Sequence, residues 1–244
     1  MDSPESSIDG SGGVLSSADQ ERMVSVVAHD LKNAIGNVLL GLEMIERRKA
    51  ASGDPMLDVL LRDITGSAKN THFLLETMLE WMRYRMADHL QHRVMLSLKP
   101  FLRAITESLN AELERKDIHI ELDMNEHYTV SADADLLASV LRNLILNAIR
   151  YSPRDSVIKI WIQSAGAFLE IHIRDASAGI APDERVRLFS VEDSVERRGT
   201  EGERGYGIGL VLCRELIALM GGFLGYNELN EESSEFFIRL KLGL

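Results

Sequence analysis

The sequence predicts an α+β protein in two parts: an N-terminal helical hairpin that pairs with a second copy as a dimeric four-helix bundle, then a C-terminal α/β sandwich. Three observations predict it. Two heptad series with one break between them fill residues 17–92. From residue 93 to 244 the apolar spacing alternates between a period of two and a period near 3.6. Residues 1–16 are rich in Ser, Gly and Asp and read as a disordered tail.

Each element has its own justification. The run Ser17–Gln20 has the pattern of a capping box. After it, Val24, Val27, Leu31, Ala34, Val38, Gly41 and Ile45 recur at steps of three and four, and Ile35 and Leu42 widen the face beyond a two-stranded seam. Ser52–Pro55 breaks the helix. A second series follows through Leu57, Leu60, Ile64, Ser67, Thr71, Leu74, Met78 and Trp81. One hairpin with two apolar faces cannot cover itself, which points to a homodimer. Beyond it, "VMLSL", "IHIEL" and "YTVSA" read as strands, with one amphipathic helix over 99–116 between the first two. Residues 134–151, "ADLLASVLRNLILNAIRY", form a helix apolar on much of its surface. "SVIKIWIQ" and "AFLEIHIRD" alternate with period two around a short turn and predict a hairpin. "GLVLCRELIALM" is a helix stopped by Gly221 and Gly222, and "FFIRLKL" is a closing strand. The expected sandwich is a mixed sheet under about three helices.

Composition narrows the function. The 244 residues carry a net charge of −11, with 45% hydrophobic and 27% charged residues. An acidic chain lacks the basic face of a general nucleic-acid or anionic-membrane binder. No apolar run reaches membrane-spanning length, and the first residues lack the basic and apolar regions of a secretory signal, so a cytoplasmic location is expected. The single cysteine, Cys213, sits in an apolar helical stretch and reads as a buried inert thiol.

Chemistry concentrates in four places. His29 takes an outward heptad position, with Asp30 beside it and Asn33 one turn later on the same face. A neutral imidazole next to a carboxylate can act as a phosphoryl acceptor, although a surface histidine needs no such role. Asn143 and Asn147 are spaced i, i+4 on a mainly apolar helix, with Arg150 and Tyr151 following. Buried amides call for partners; an amide oxygen can also ligate Mg²⁺. Asp175 ends a strand with Gly179 four residues on, which suits a plain turn or a carboxylate that accepts from an adenine amine. Gly205, Gly207 and Gly209 precede a helix and allow backbone N–H groups to approach phosphate. The histidines His72, His89, His92, His119, His127 and His172 form no convincing metal set.

Taken in order, "AHDLKNAI", "NLILNAIRYS", "RDASAGIAP" and "GYGIGL" resemble the sensor histidine kinases of two-component systems, and "LEWMRYRM" and "ALMGG" fit the same family. The resemblance spans roughly residues 18–244. It implies a dimerisation and histidine-phosphotransfer domain followed by a catalytic ATP-binding domain of the Bergerat type. It implies that His29 is phosphorylated, that Asp30 is the acid beside it and that Asn33 orients water in a phosphatase reaction. It assigns Asn147 to Mg²⁺, Asn143 and Arg150 to the phosphate side, Tyr151 to the nucleotide's vicinity, and Asp175 with Gly179 to adenine. Gly205, Gly207 and Gly209 match the glycines that close a lid. The implied activity is autophosphorylation of His29 from Mg-ATP and transfer to an aspartate on a response regulator, with input from a sensor protein in trans. The alternative is a phosphotransfer module that does not use ATP. Ala34 replaces the usual proline and Ser177 a usual glycine, and the segment after Phe189 lacks a second Pro-Phe element. If position 177 requires a left-handed backbone, serine there is strained by roughly 1–2 kcal/mol and ATP binding weakens. If the loop accepts a β-region serine, nothing is lost.

Overall fold

The computed structural model describes residues 38, 41, 44, 56, 64, 93–124, 128–185, 187–190, 199–201, 208–230 and 233–243. Of the expected hairpin, Val38, Gly41, Met44, Met56 and Ile64 are described, each helical. The Ile64 side chain lies directly over the Gly41 backbone, so these two positions of the heptad series meet. The tail, the rest of the hairpin and the dimer lie outside the described residues.

From Arg93 the elements run β1 (Arg93–Ser97), α1 (Leu98–Glu107), α2 (Asn110–Lys116), β2 (His119–Asp123), β3 (Thr129–Asp133), α3 (Ala134–Tyr151), β4 (Val157–Ala165), β5 (Phe168–Asp175), α4 (Pro182–Arg185), α5 (Ile208–Leu219), β6 (Phe223–Asn230) and β7 (Ser233–Lys241). The main sheet has five strands in the order β2-β4-β5-β7-β6. The β2–β4 pair is parallel and the other pairs are antiparallel. Strands β1 and β3 form a separate two-stranded antiparallel sheet instead of joining the expected single one. No helix among the described residues is long and apolar enough to cross a membrane.

Three of these helices cover one face of the main sheet. Period-two alternation sends Ile158, Ile160, Leu169, Ile171, Ile173, Ile238 and Leu240 into the core, each at most 2% exposed. Leu102 of α1, Leu137, Val140, Leu141 and Leu144 of α3, and Leu216 and Ile217 of α5 join them in one core cluster. Burying each such side chain contributes about 1.5–3 kcal/mol. Helix α3 begins where the Asp133 carboxylate accepts from the N–H groups of Asp135 at 3.0 Å and Leu136 at 3.2 Å. Helix α5 ends where Gly221 takes φ +72° and Gly222 N–H reaches Ile217 O at 2.9 Å.

Two local expectations need correction. The helix expected over 99–116 is two helices. The Thr106 hydroxyl donates to Arg103 O at 2.9 Å and the Ser108 hydroxyl to Ile105 O at 2.7 Å, so side chains compete for the carbonyls that would continue α1. Strand β6 is not among the expected elements, because Gly225 and Asn227 interrupt its pattern. The Phe237 ring lies over Gly225 and supplies the missing side-chain cover.

The other face of the sheet carries a polar and aromatic ladder. The His172 ring stacks on Trp161, with centroids 4.8 Å apart, and its Nδ1 lies 2.9 Å from Glu235 Oε1. Glu235 also accepts from Asn227 at 2.8 Å and from Arg174 at 2.6 Å. Burial pushes the Glu235 carboxyl up, but the bonds from His172, Asn227 and Arg174 outweigh it and hold the group below the usual carboxylate range. Glu170 follows the same logic, with burial opposed by Gln163 and Arg239.

The turn after α5 generates a stability prediction. A Cβ on Gly222 would stand 2.6 Å from Arg239 O, a backbone atom that cannot swing aside. Gly222→Ala is expected to cost about 1–3 kcal/mol by overpacking. Chemical denaturation read by circular dichroism checks this.

Candidate functional site

Helix α3 exists because its apolar positions recur along one wide stripe, and the stripe sets where its polar groups point. Leu136, Val140, Leu144 and Ala148 face the core, while Asn147, Arg150 and Tyr151 sit half-buried at its edge. Asn143 is buried, and its Nδ2 donates to Cys213 Sγ of α5 at 3.0 Å. A Cβ on Gly209 would stand 3.0 Å from that same amide nitrogen. Asn143 therefore joins α3 to the start of α5 at a glycine that admits close approach. Burial pushes the Cys213 thiol up to about 12, and the Asn143 amide opposes this only in part, so the thiol is inert at neutral pH.

The Asp175 carboxylate lies at the end of β5, 5% exposed. Its Oδ1 accepts from Ser177 N–H at 2.9 Å, an Asx-type turn that redirects the chain out of the sheet. Gly179 follows at φ +69°. Ser152, just past α3, accepts from Ala176 N–H at 3.3 Å and so ties this turn to the end of the helix. Ser177 does not occupy the left-handed region; among the described non-glycine residues only Asp117 and Asp155 do. Its hydroxyl donates to Ser234 Oγ at 2.9 Å within the buried part of the fold. The strained alternative for position 177 is thereby overturned: this backbone accepts a serine and satisfies its hydroxyl.

The structure thus brings Asn143, Asn147, Arg150, Tyr151, Asp175, Gly179 and Gly209 onto two neighbouring helices and the turn beside them. His29, Asp30, Asn33, Gly205 and Gly207 lie outside the described residues. Asn147 makes no side-chain hydrogen bond among the described residues, and no group of three or more His, Cys, Asp or Glu among them could hold a metal. A lone amide oxygen suits a cation that keeps water and phosphate as its other ligands. The donor set therefore fits magnesium delivered with a nucleotide and does not fit a dedicated protein cage.

Lys116, Ser152, Thr200 and Ser234 support the site, and none stood out in the sequence. For Lys116 a signal existed: Leu109, Leu113 and Lys116 continue one apolar face, so a lysine stands where a core residue belongs.

With this geometry in view, residues 132–244 match the family described as Histidine kinase-, DNA gyrase B-, and HSP90-like ATPase. That match takes in the chain from the end of β3 through β7. Over most of its length the chain is similar to sensor histidine kinases. It is 25% identical over 228 residues to the adaptive-response sensory kinase SasA of Gloeothece citriformis, covering 91% of this chain and 57% of that protein. The chain spans about half the length of the curated relatives it matches. Two solved structures share the fold. Acinetobacter baumannii histidine kinase AdeS superposes with TM-score 0.65 at 21% identity, over 88% of this chain and 98% of that one. Histidine kinase ThkA in complex with response regulator protein TrrA gives TM-score 0.64 at 21% identity, over 93% of this chain and 63% of that one.

Ser177→Gly tests the corrected role of that residue. It strands the buried Ser234 hydroxyl, and an unsatisfied buried group costs about 1–3 kcal/mol. The expected result is a lower melting temperature with ATP affinity unchanged or weaker; tighter ATP binding in a calorimeter would restore the strained reading.

Proposed function

We propose that the chain is a protein histidine kinase. His29 takes the γ-phosphoryl group of Mg-ATP bound by the C-terminal domain and passes it to an aspartate on a response regulator. The observation that carries this reading is the half-buried Asn147 amide, one turn from Arg150 on α3 and beside the turn that fixes Asp175. Each polar group there has the type and place its task needs. Asp175 accepts from the adenine amine, held by Ser177 N–H so that one carboxylate oxygen stays fixed. Arg150 faces the phosphates from the end of α3. Asn147 would hold magnesium through its Oδ1, and the bound ion would neutralise phosphate charge. Asn143 holds the start of α5 close to α3 at Gly209.

In the reaction, a neutral ring nitrogen of His29 attacks the γ-phosphorus. The bond to the bridging oxygen breaks and ADP leaves with that electron pair. Asp30 accepts the proton released from the imidazole. The phosphoryl group then moves to the carboxylate of a receiver domain. The neighbour ThkA, solved with response regulator TrrA, supports a partner of that kind. A homodimer joined through the hairpin, with signals arriving from a sensor protein in trans, completes the scheme in a cytoplasmic setting. The ATP-independent alternative rested on Ser177, and an unstrained, hydrogen-bonded Ser177 removes that support.

Incubation with γ-labelled ATP and Mg²⁺ tests the proposal. Wild type should gain an acid-labile, base-stable label, and His29→Gln should gain none. Asp30→Asn should slow labelling by roughly 10²–10⁴, the usual weight of a general base. Asn33→Ala should impair dephosphorylation of the regulator more than labelling of His29. Undiminished label on His29→Gln would overturn the assignment.

A further inference from the structure

The side chain of Lys116 reaches from the last turn of α2 to the C-terminal end of α3 and is fully buried. Its ammonium stands 3.0 Å from Ile149 O, 2.8 Å from Arg150 O, 3.4 Å from Ser152 O and 2.7 Å from the Thr200 hydroxyl oxygen. All four are neutral oxygens. Three are carbonyls at the negative end of an 18-residue helix, where a cation is favoured. This is the environment of a monovalent cation site, with the cation supplied by a side chain. Thr200 adds three further links to the same carbonyls: its N–H reaches Arg150 O at 3.1 Å, and its hydroxyl lies 2.9 Å from Ser152 O and 3.4 Å from Arg150 O. A second layer lies outside. Glu201 accepts from Arg115 and from Arg154, each at 2.8 Å, and Arg154 also reaches Asp117 at 2.7 Å.

We propose that Lys116 is a positioning residue for nucleotide binding: its ammonium acts as a tethered monovalent cation that locks the end of α3 to residues 199–201 and so fixes the backbone of Arg150. The proposal rests on the kinase reading, in which Arg150 faces the phosphates. The link runs through Arg150 itself, because its carbonyl accepts from both Lys116 and Thr200. Without the ammonium, three helix-end carbonyls and the Thr200 hydroxyl lose their shared partner. The turn that carries Arg150 is then free to relax away from residues 199–201.

Truncation to alanine leaves an oxygen-lined cage large enough for a small cation, so chemical rescue is the test. Mg-ATP binding to the full chain is measured by calorimetry, and thermal melting is measured in parallel, in choline buffer with and without added ammonium, ethylammonium or potassium. Lys116→Ala should weaken Mg-ATP binding by about tenfold or more, the weight of charge-assisted bonds of this kind. At least one of the added cations should restore much of that loss. Lys116→Met keeps the apolar stem, fills the cage and guards against a variant that does not fold. It should bind Mg-ATP as weakly as the alanine variant and gain nothing from added cations. A cation that raises the melting temperature of Lys116→Ala without raising its affinity would show a purely structural role and overturn the proposal. So would wild-type affinity in Lys116→Met, or equal rescue of both variants. Wild type that failed to bind Mg-ATP would instead overturn the kinase reading, and this proposal with it.

Discussion

The packing of α3 against the sheet is the constraint on which the rest depends. Its apolar stripe leaves one orientation in which Leu137, Leu141 and Leu144 are buried at once. That orientation decides the surroundings of every polar group on the helix. Asn143 falls inside the stripe and finds Cys213, while Asn147 and Arg150 fall at its edge. The helix cannot rotate about its axis to alter this, because rotation would expose leucines worth about 1.5–3 kcal/mol each. Sliding along the axis is opposed at both ends. Asp133 caps the first turn, and Lys116 holds the last carbonyls.

Sheet register is the second fixed quantity. Asp175 stands opposite Ser234 in the β5–β7 pair, and the Ser177–Ser234 bond and the turn at Asp175 exist only in that register. A one-residue slip would send Asp175 to the opposite face of the sheet. The ladder on the open face resists such a slip. Glu235 collects His172 and Arg174 from β5 and Asn227 from β6, and Arg239 pairs with Glu170 across β5 and β7. These bonds are directional and several lie among buried groups, so a shifted pairing would strand carboxylates away from water.

Much of this was legible in the sequence wherever the signal is local. Residues 134–151 carry a broad apolar helical face with strand patterns on both sides, and the helix forms over that span. The β4–β5 hairpin was equally plain, because clean alternation brackets a short turn that contains Gly166. Asn143 and Asn147 look alike in sequence; only the partner on α5, 70 residues along, separates their surroundings. Strand β6 hid behind Gly225, whose missing side chain is replaced by a ring from β7. The break at Ser108 has no local signal, because serine and threonine end a helix only when their hydroxyls turn back to the backbone. Position 177 looked like a defect by comparison with glycine, and its compensation by Ser234 is a contact between residues 57 apart.

The central claim is that a helix locked by its packing presents Asn147 to the metal that accompanies a nucleotide. Calorimetric titration of ATP into the full chain, with magnesium and then with a chelator, tests it on wild type and on Asn147→Ala. The expected result is that the variant melts like wild type, loses about tenfold or more in Mg-ATP affinity and changes little toward metal-free ATP. Equal Mg-ATP affinity in the two proteins would contradict the account.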